Sequence, residues 1–321
     1  MELQKVHHGV PGGSYDICRP KFSSFPRTLA YHAYTLHLFT CNDLPELVVM
    51  PFFFALATIA ASSVFGISSQ KTIAELLLKV PTMICWNWIN LLLFNIHNQR
   101  HPESILTDRT SKPWRPIPSK RISAEESRLL LFILYPLMTL FCLAVGGLRP
   151  FLAEAVWCMW YNEWNGAKNP VWRNFLNATG IATCMAGPLE LVIGDNHVLT
   201  DFPIAIGWLV IIGATIFTTN QLQDFRDQDE DRLEGRRTVP IVLGDAVARW
   251  VTVGIVIAWS LYVPSFWGVK IGGYLPTLFL GCVLAGHLVL RRSANGDKIT
   301  WKLWAPWMLS FFLLPILRRY G

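Results

Sequence analysis

Residues 218 to 240 read TTNQLQDFRDQDEDRLEGRRTVP and follow a run of some sixteen almost wholly apolar residues. Five acids fall within the eight positions 224 to 231, among them Asp224, Asp227 and Asp231. On a continuous helix Asn220, Asp224, Asp227 and Asp231 stand at steps of four, three and four, so the pattern predicts all four on one face. Adjacent carboxylates repel, and helix stability gives no reason to gather them where an apolar segment ends. A divalent cation resolves the conflict. Mg²⁺ takes oxygen ligands, keeps several waters and is typically held by one or two carboxylates together with substrate phosphates. The arginines of the stretch, Arg226, Arg232, Arg236 and Arg237, have two readings: neutralising the acids at a solvated helix end, or binding phosphate oxygens through planar guanidinium groups.

A second polar loop, NIHNQRHPESILTDRTSKPWRPIPSKRIS at 95 to 123, echoes the first. Each opens on Asn-Gln at a helix end (Asn98 and Gln99; Asn220 and Gln221), runs through acids, and closes with basic residues before a proline-containing stop. The pair reads as a diverged internal repeat, with halves at about 46–165 and 171–290. This repetition at the edge of apolar segments favours a ligand site over a merely solvated charge run.

The elements that must position these loops follow from composition. The chain of 321 residues is 52% hydrophobic and 16% charged, with a mean hydropathy of +0.34. That is too apolar for a soluble protein of this size, so the fold class is an all-α polytopic membrane protein. About 20 apolar residues span a bilayer core of roughly 30 Å. On that template nine spans are predicted, near 46–66, 76–97, 125–146, 150–163, 172–193, 202–221, 247–267, 274–290 and 300–316. Residues 1–45 are expected to be a cytosolic or interfacial segment ahead of a transmembrane domain at 46–321. Phe25, Leu29, Leu36 and Phe39 have the spacing of an interfacial helix, with a solvated loop as the alternative. No cleavable signal peptide is expected, the first span acting as the insertion signal. The seven cysteines stand singly, with no CxxC pair, and indicate neither disulfides nor zinc.

The net charge of +6 is informative through its placement. With alternating spans, most Lys and Arg fall in the loops after the second, fourth, sixth and eighth. By the positive-inside rule those loops and the amino terminus face the cytosol. Charge distributed in this way excludes nucleic-acid binding as its purpose.

Trp86, Phe94, Trp157 and Tyr161, on the second and fourth spans, are candidates for the wall of an apolar cavity, competing with packing and interfacial anchoring. Polar groups within spans tend to face the bundle interior. Asn90 and Asn177 are cavity candidates on this ground, although for Asn87 and Asn90 interhelical hydrogen bonding is favoured. Glu163, at the cytosolic end of the fourth span, is a catalytic candidate.

At the two loops the sequence resembles the UbiA-type intramembrane prenyltransferase superfamily. DFRDQDED with GRRTVPI is similar to its second Asp-rich motif, and KPWRPIPS at 112–119 to the segment after its first. The resemblance implies a nine-helix bundle around a central cavity, Mg²⁺ as cofactor and a prenyl diphosphate as substrate. The first motif departs from the family pattern: Asn98, Gln99, Glu103 and Asp108 stand where further aspartates are usual. This first motif, YNEWNGAKNPVWRNFLNATG at 161–180 and the second motif together resemble the fungal branch of membrane-bound terpene cyclases.

The resemblance implies one Mg²⁺ at Asn220, Asp224, Asp227 and Asp231, and another at Asn98, Glu103 and Asp108. Lys112, Arg115, Arg236 and Arg237 are the expected diphosphate ligands. The expected reaction is ionisation of farnesyl diphosphate and cyclisation to a sesquiterpene hydrocarbon such as bergamotene, in the endoplasmic reticulum membrane. Two alternatives stand beside it: an aromatic prenyltransferase with a phenolic acceptor, and a non-catalytic scaffold that retains the fold.

Overall fold

Short polar motifs open the long helices. Thr72 accepts from the Glu75 amide at 3.3 Å while Glu75 accepts from the Thr72 amide at 2.7 Å, a reciprocal cap on the helix Ile73–Gln99. Ser123 and Glu126 repeat the device at Ala124–Val145 (3.1 and 2.8 Å). Asn169 caps Pro170–Ile193 by accepting from the amides of Val171 and Trp172, with proline at the first helical position.

A computed structural model describes residues 24–67, 71–194 and 197–320. In chain order these form α1 (Ser24–Thr40), α2 (Met50–Ala60, entered through a π turn at Pro45–Val49), α3 (Ile73–Gln99), α4 (Pro102–Ser111), α5 (Ala124–Val145), α6 (Leu148–Asn162), α7 (Pro170–Ile193) and α8 (Pro203–Thr219). They continue through α9 (Gln221–Asp224), α10 (Gln228–Leu233), α11 (Val239–Leu243), α12 (Asp245–Trp267), α13 (Ile271–Leu290), α14 (Ala294–Phe312) and α15 (Leu314–Tyr320). No strand occurs among the described residues.

The chain divides into two units, one ending at Tyr34 and one running Thr35–Gly321. The stretch with interfacial spacing is helical as α1, and Phe39 at its end is buried. The side chain of Phe25 lies outside the described residues.

Each of the nine expected spans coincides with a helix, but seven among the described residues are individually long and apolar enough to cross a membrane. The number rises to eight if Thr28–Thr40 and Pro45–Ala60 form one broken span. The shortfall lies in α2, with 11 residues, and α6, with 15, both below the roughly 20 of a straight crossing. Leu129, Phe132, Ile133, Leu137, Leu140 and Leu143 on α5 are exposed apolar side chains, the surface a lipid-facing helix presents.

Two features tie the bundle together, the first deep among the spans and the second beside the polar loop that precedes α12. The Trp86 ring of α3 lies against α7, where a Cβ at Gly187 would sit 2.3 Å from it, so only glycine permits this approach. In the carboxy-terminal half, buried Arg249 of α12 donates to Asp297 (2.6 and 2.8 Å), Asp245 (2.9 and 3.0 Å) and the Leu288 carbonyl (2.8 Å). Breaking such a buried pair from one side costs about 3–5 kcal/mol.

Candidate active site

The second acidic stretch is not one continuous helix. α9 ends at Asp224, and Asp227, at φ −104° and ψ 11°, caps the start of α10. Tertiary anchors flank the break. The Phe225 ring lies under the Arg249 guanidinium at 4.5 Å, and Gln228 donates to Asp245 at 3.0 Å. Above the break, Gln221 donates to Thr252 (3.1 Å) and Trp304 to Thr219 (3.1 Å).

The carboxylates consequently have unequal surroundings. Asp224 and Asp231 are buried, whereas the Asp227 side chain is 27% exposed. Asp224 Oδ1 accepts from Arg173 of α7 at 2.9 Å, and Asp231 Oδ1 lies 3.5 Å from Arg236. Asp227 pairs with its neighbour Arg226 at 3.1 Å. The second oxygens, Asp224 Oδ2 and Asp231 Oδ2, are buried without a hydrogen-bond donor. Burial pushes the Asp231 carboxyl up to about 6; Arg173 opposes this, Asp224 adds to it, and Arg236 and Asp227 contribute less. Asn220 is buried beside them, its amide nitrogen unpartnered.

Buried polar atoms in folded proteins are normally hydrogen-bonded. Two buried, donorless carboxylate oxygens therefore fit a hard divalent cation such as Mg²⁺. No three His, Cys, Asp or Glu side chains among the described residues converge to hold a metal by themselves. A cation there would rely on substrate oxygens and water to complete its shell.

The first loop is differently arranged. Asp108, expected to ligate metal, is buried and takes both its bonds from Arg115 at 2.8 and 2.9 Å, so a candidate metal ligand and a candidate diphosphate ligand hold each other. Glu103 is exposed on α4. Asn98 donates to Asn162 at 3.2 Å, and Gln99 to the Phe39 carbonyl at 2.9 Å. Glu163 binds His97 (2.6 Å) and Arg100, which makes it a clamp on the end of α3.

The two loops meet. Lys112 of the first reaches Glu230 of the second at 2.7 Å, and His101 lies within electrostatic reach of both Glu163 and Arg236. Burial lowers the His101 pKa, Glu163 opposing and Arg100 adding to the effect. Arg236 also pairs with Glu234 at 2.6 Å. Arg237 is exposed, and its amide donates to the Lys168 carbonyl at 3.3 Å.

Aromatic side chains adjoin the buried Arg173–Asp224 pair. The Tyr161 hydroxyl accepts from Arg173, and Phe94 packs on the Tyr161 ring at 5.3 Å. Trp157, Trp160 and Phe175 complete the cluster. Trp86 is not part of it but belongs to the main core. The interhelical hydrogen bonds expected of Asn87 and Asn90 do not form: Asn90 donates to the Trp86 carbonyl on its own helix (2.9 Å), and both polar atoms of buried Asn87 lack partners. The Asn177 side-chain nitrogen, one turn below Arg173, is also unpartnered.

The profile of the UbiA prenyltransferase family matches residues 48–314. The chain belongs to this family. It is 28% identical over 286 residues to the fumagillin beta-trans-bergamotene synthase of Aspergillus fumigatus, covering 89% of this chain and 92% of that one. In fold it is similar to a digeranylgeranylglyceryl phosphate synthase structure, with TM-score 0.61, 16% identity, and 89% and 99% of the two chains covered. It is also similar to a UbiA homologue from Archaeoglobus fulgidus bound to GPP and Mg²⁺, with TM-score 0.53, 13% identity, and 85% and 99% covered.

As a UbiA family member the protein is an integral membrane enzyme that acts on prenyl diphosphates. One side chain at this site, Arg173, is not singled out by the sequence reading. The available signal is a charge near the end of an apolar span, which at membrane depth marks function by default.

Proposed function

We propose that this UbiA enzyme ionises farnesyl diphosphate and closes the resulting cation to a sesquiterpene hydrocarbon such as bergamotene, releasing diphosphate. The observation that carries the reading is the pair of donorless carboxylate oxygens on Asp224 and Asp231, set against an aromatic cluster through Arg173 and Tyr161. The Aspergillus relative, named as a bergamotene synthase, supports cyclisation over transfer.

Asp224 and Asp231 would hold Mg²⁺, with Asp227 and Asn220 alongside; Asn98, Glu103 and Asp108 are the corresponding candidates of the first loop. When bound, the ion supplies charge neutralisation to the diphosphate leaving group. Arg173 fixes the orientation of Asp224. Arg236 and Arg237 offer guanidinium donors to the diphosphate, and Lys112 and Arg115 do so by exchanging Glu230 and Asp108 for phosphate oxygens. Glu163 positions His97 and Arg100 and does not touch the substrate. Phe94, Trp157 and Tyr161 present ring faces to the allylic cation, an attraction worth up to about 2 kcal/mol each when desolvated. Apolar surroundings withhold water that would trap the cation as an alcohol. The basic loops favour an orientation with both motifs toward the cytosol, in the endoplasmic reticulum membrane.

The test is an incubation of microsomes carrying the protein with farnesyl or geranylgeranyl diphosphate and Mg²⁺, followed by gas chromatography. A cyclic hydrocarbon without added acceptor is the expected result. Product only with an added phenol would identify a prenyltransferase, and no turnover would favour a scaffold.

A further inference from the structure

Glu154 is buried in the middle of α6, and the ionisation site makes no use of it. Positions 154, 158 and 161 share one helical face. That face meets α7: Tyr161 accepts from Arg173 at one level, and Glu154 accepts from the Thr183 hydroxyl at another. At 1.5 Å per residue, the Glu154 carboxyl group lies about 10 Å deeper than Tyr161 along the same seam. A prenyl chain whose diphosphate sits at Asp224 would run past that depth.

Folding gives no reason for an acid there. A carboxyl group at membrane depth is costly unless well satisfied. Thr183 is the one hydrogen-bond donor to Glu154 among the described residues, and the same hydroxyl also reaches the carbonyls of Thr179 (3.0 Å) and Gly180 (2.8 Å). Its single proton thus has three acceptors. No Lys, Arg or His of the described residues pairs with Glu154. Across the seam Gly180 offers no side chain, and a Cβ there would touch both Glu154 oxygens at 3.5 and 3.6 Å. Glutamine or leucine would fill the site at lower cost, a contrast that points to chemistry rather than packing.

We propose that Glu154 accepts the proton that terminates cyclisation; this rests on the cyclase reading above. The cyclised cation breaks a C–H bond on the carbon next to its cationic centre. The electron pair becomes the new C=C bond, the proton moves to a Glu154 oxygen, and a neutral hydrocarbon remains. Diphosphate has already left as the anion, so atoms and charge balance. The carboxyl group returns the proton to water before the next turnover. Depth explains the division of labour: ionisation is confined to the polar mouth, and deprotonation occurs where water is scarce.

The experiment uses purified full-length protein with farnesyl diphosphate and Mg²⁺, measuring diphosphate release and product profile in parallel. E154Q is expected to release diphosphate within about threefold of the parent rate while its share of the parent hydrocarbon falls about tenfold, replaced by alcohols or other alkenes. E154D, which keeps a base but withdraws it by one methylene, is expected to remain a hydrocarbon producer with a changed ratio of double-bond isomers. An unchanged profile in either variant overturns the proposal, as does a parallel loss of release and product in both, which would mark a structural role. If E154Q fails to fold, the E154D isomer ratio decides. A parent enzyme that makes no hydrocarbon overturns the cyclase reading itself, an outcome read before any variant is compared.

Discussion

The two acidic loops share a sequence pattern and differ in how their charges are balanced. In the first, Asp108 spends both oxygens on Arg115 and Glu103 points outward, so the loop is internally neutralised. In the second, Asp224 and Asp231 each have one oxygen toward an arginine and a second with no donor. Ligand capacity therefore depends on leftover lone pairs, and counting acids overstates what the first loop offers. The second loop is also better anchored, through Phe225, Gln221 and Gln228. Preorganised ligands lose less on binding.

The largest effect should come from breaking this asymmetry at its stronger side. Asp224→Ala is expected to lower diphosphate release by about a thousandfold, the scale of removing a principal electrostatic stabiliser. Asp108→Ala should lower release by only about tenfold and lower thermal stability as well, because it leaves the half-buried Arg115 without its partner. Steady-state assays of the two variants with a diphosphate sensor compare the loops directly. Equal losses would mean that the loops carry equal weight.

A second test uses protons. The Asp231 carboxyl is raised from 3.8 to about 6, so the folded state binds its proton more tightly than the unfolded state. Its contribution to stability is present below about pH 4 and is lost as the pH rises through about 6. In metal-free protein Asp231→Asn should therefore be relatively more stable than the parent at pH 7.5 than at pH 5, by a few degrees in Tm. Mg²⁺ should raise the parent Tm more at pH 7.5, where the carboxylate is ionised, than at pH 5. A Tm difference between parent and variant that ignores pH would remove Asp231 from the ion-binding set.

These contrasts also mark how far the sequence is legible. Apolar runs of membrane length coincide with a helix at each of the nine expected positions, seven of them long enough to cross a bilayer among the described residues, because membrane spans must satisfy their backbone within each segment. The pairing of Asn-Gln with downstream acids located both loops. What failed was the assumption of local regularity: Asp224 and Asp231 are related by a break before α10, beside which Arg249 and Asp245 of α12 contact Phe225 and Gln228. The partners of Asp224 and Glu154 lie 51 and 29 residues away in sequence, beyond any helical spacing rule. Of the readings open for Trp86 the structure shows packing in the main core, set by a glycine that the indole faces across the bundle and that no helical spacing rule reveals.

The smallest effect concerns the contact that joins the loops. Lys112 and Glu230 are 2.7 Å apart and partly exposed, with side-chain exposures of 26% and 31%. Exposed ion pairs contribute about 0–1 kcal/mol. A double-mutant cycle with Lys112→Ala and Glu230→Gln should give a coupling in that range for unfolding free energy in the absence of substrate. Kinetically the two residues should part: if Lys112 changes partner to the diphosphate, its loss raises KM several-fold, whereas loss of Glu230 frees the lysine and leaves KM unchanged or lower. Equal shifts in KM from the two variants would reduce the contact to a strut. The first loop would then contribute position alone, and its difference from the second would be wider than the geometry of Asp108 implies.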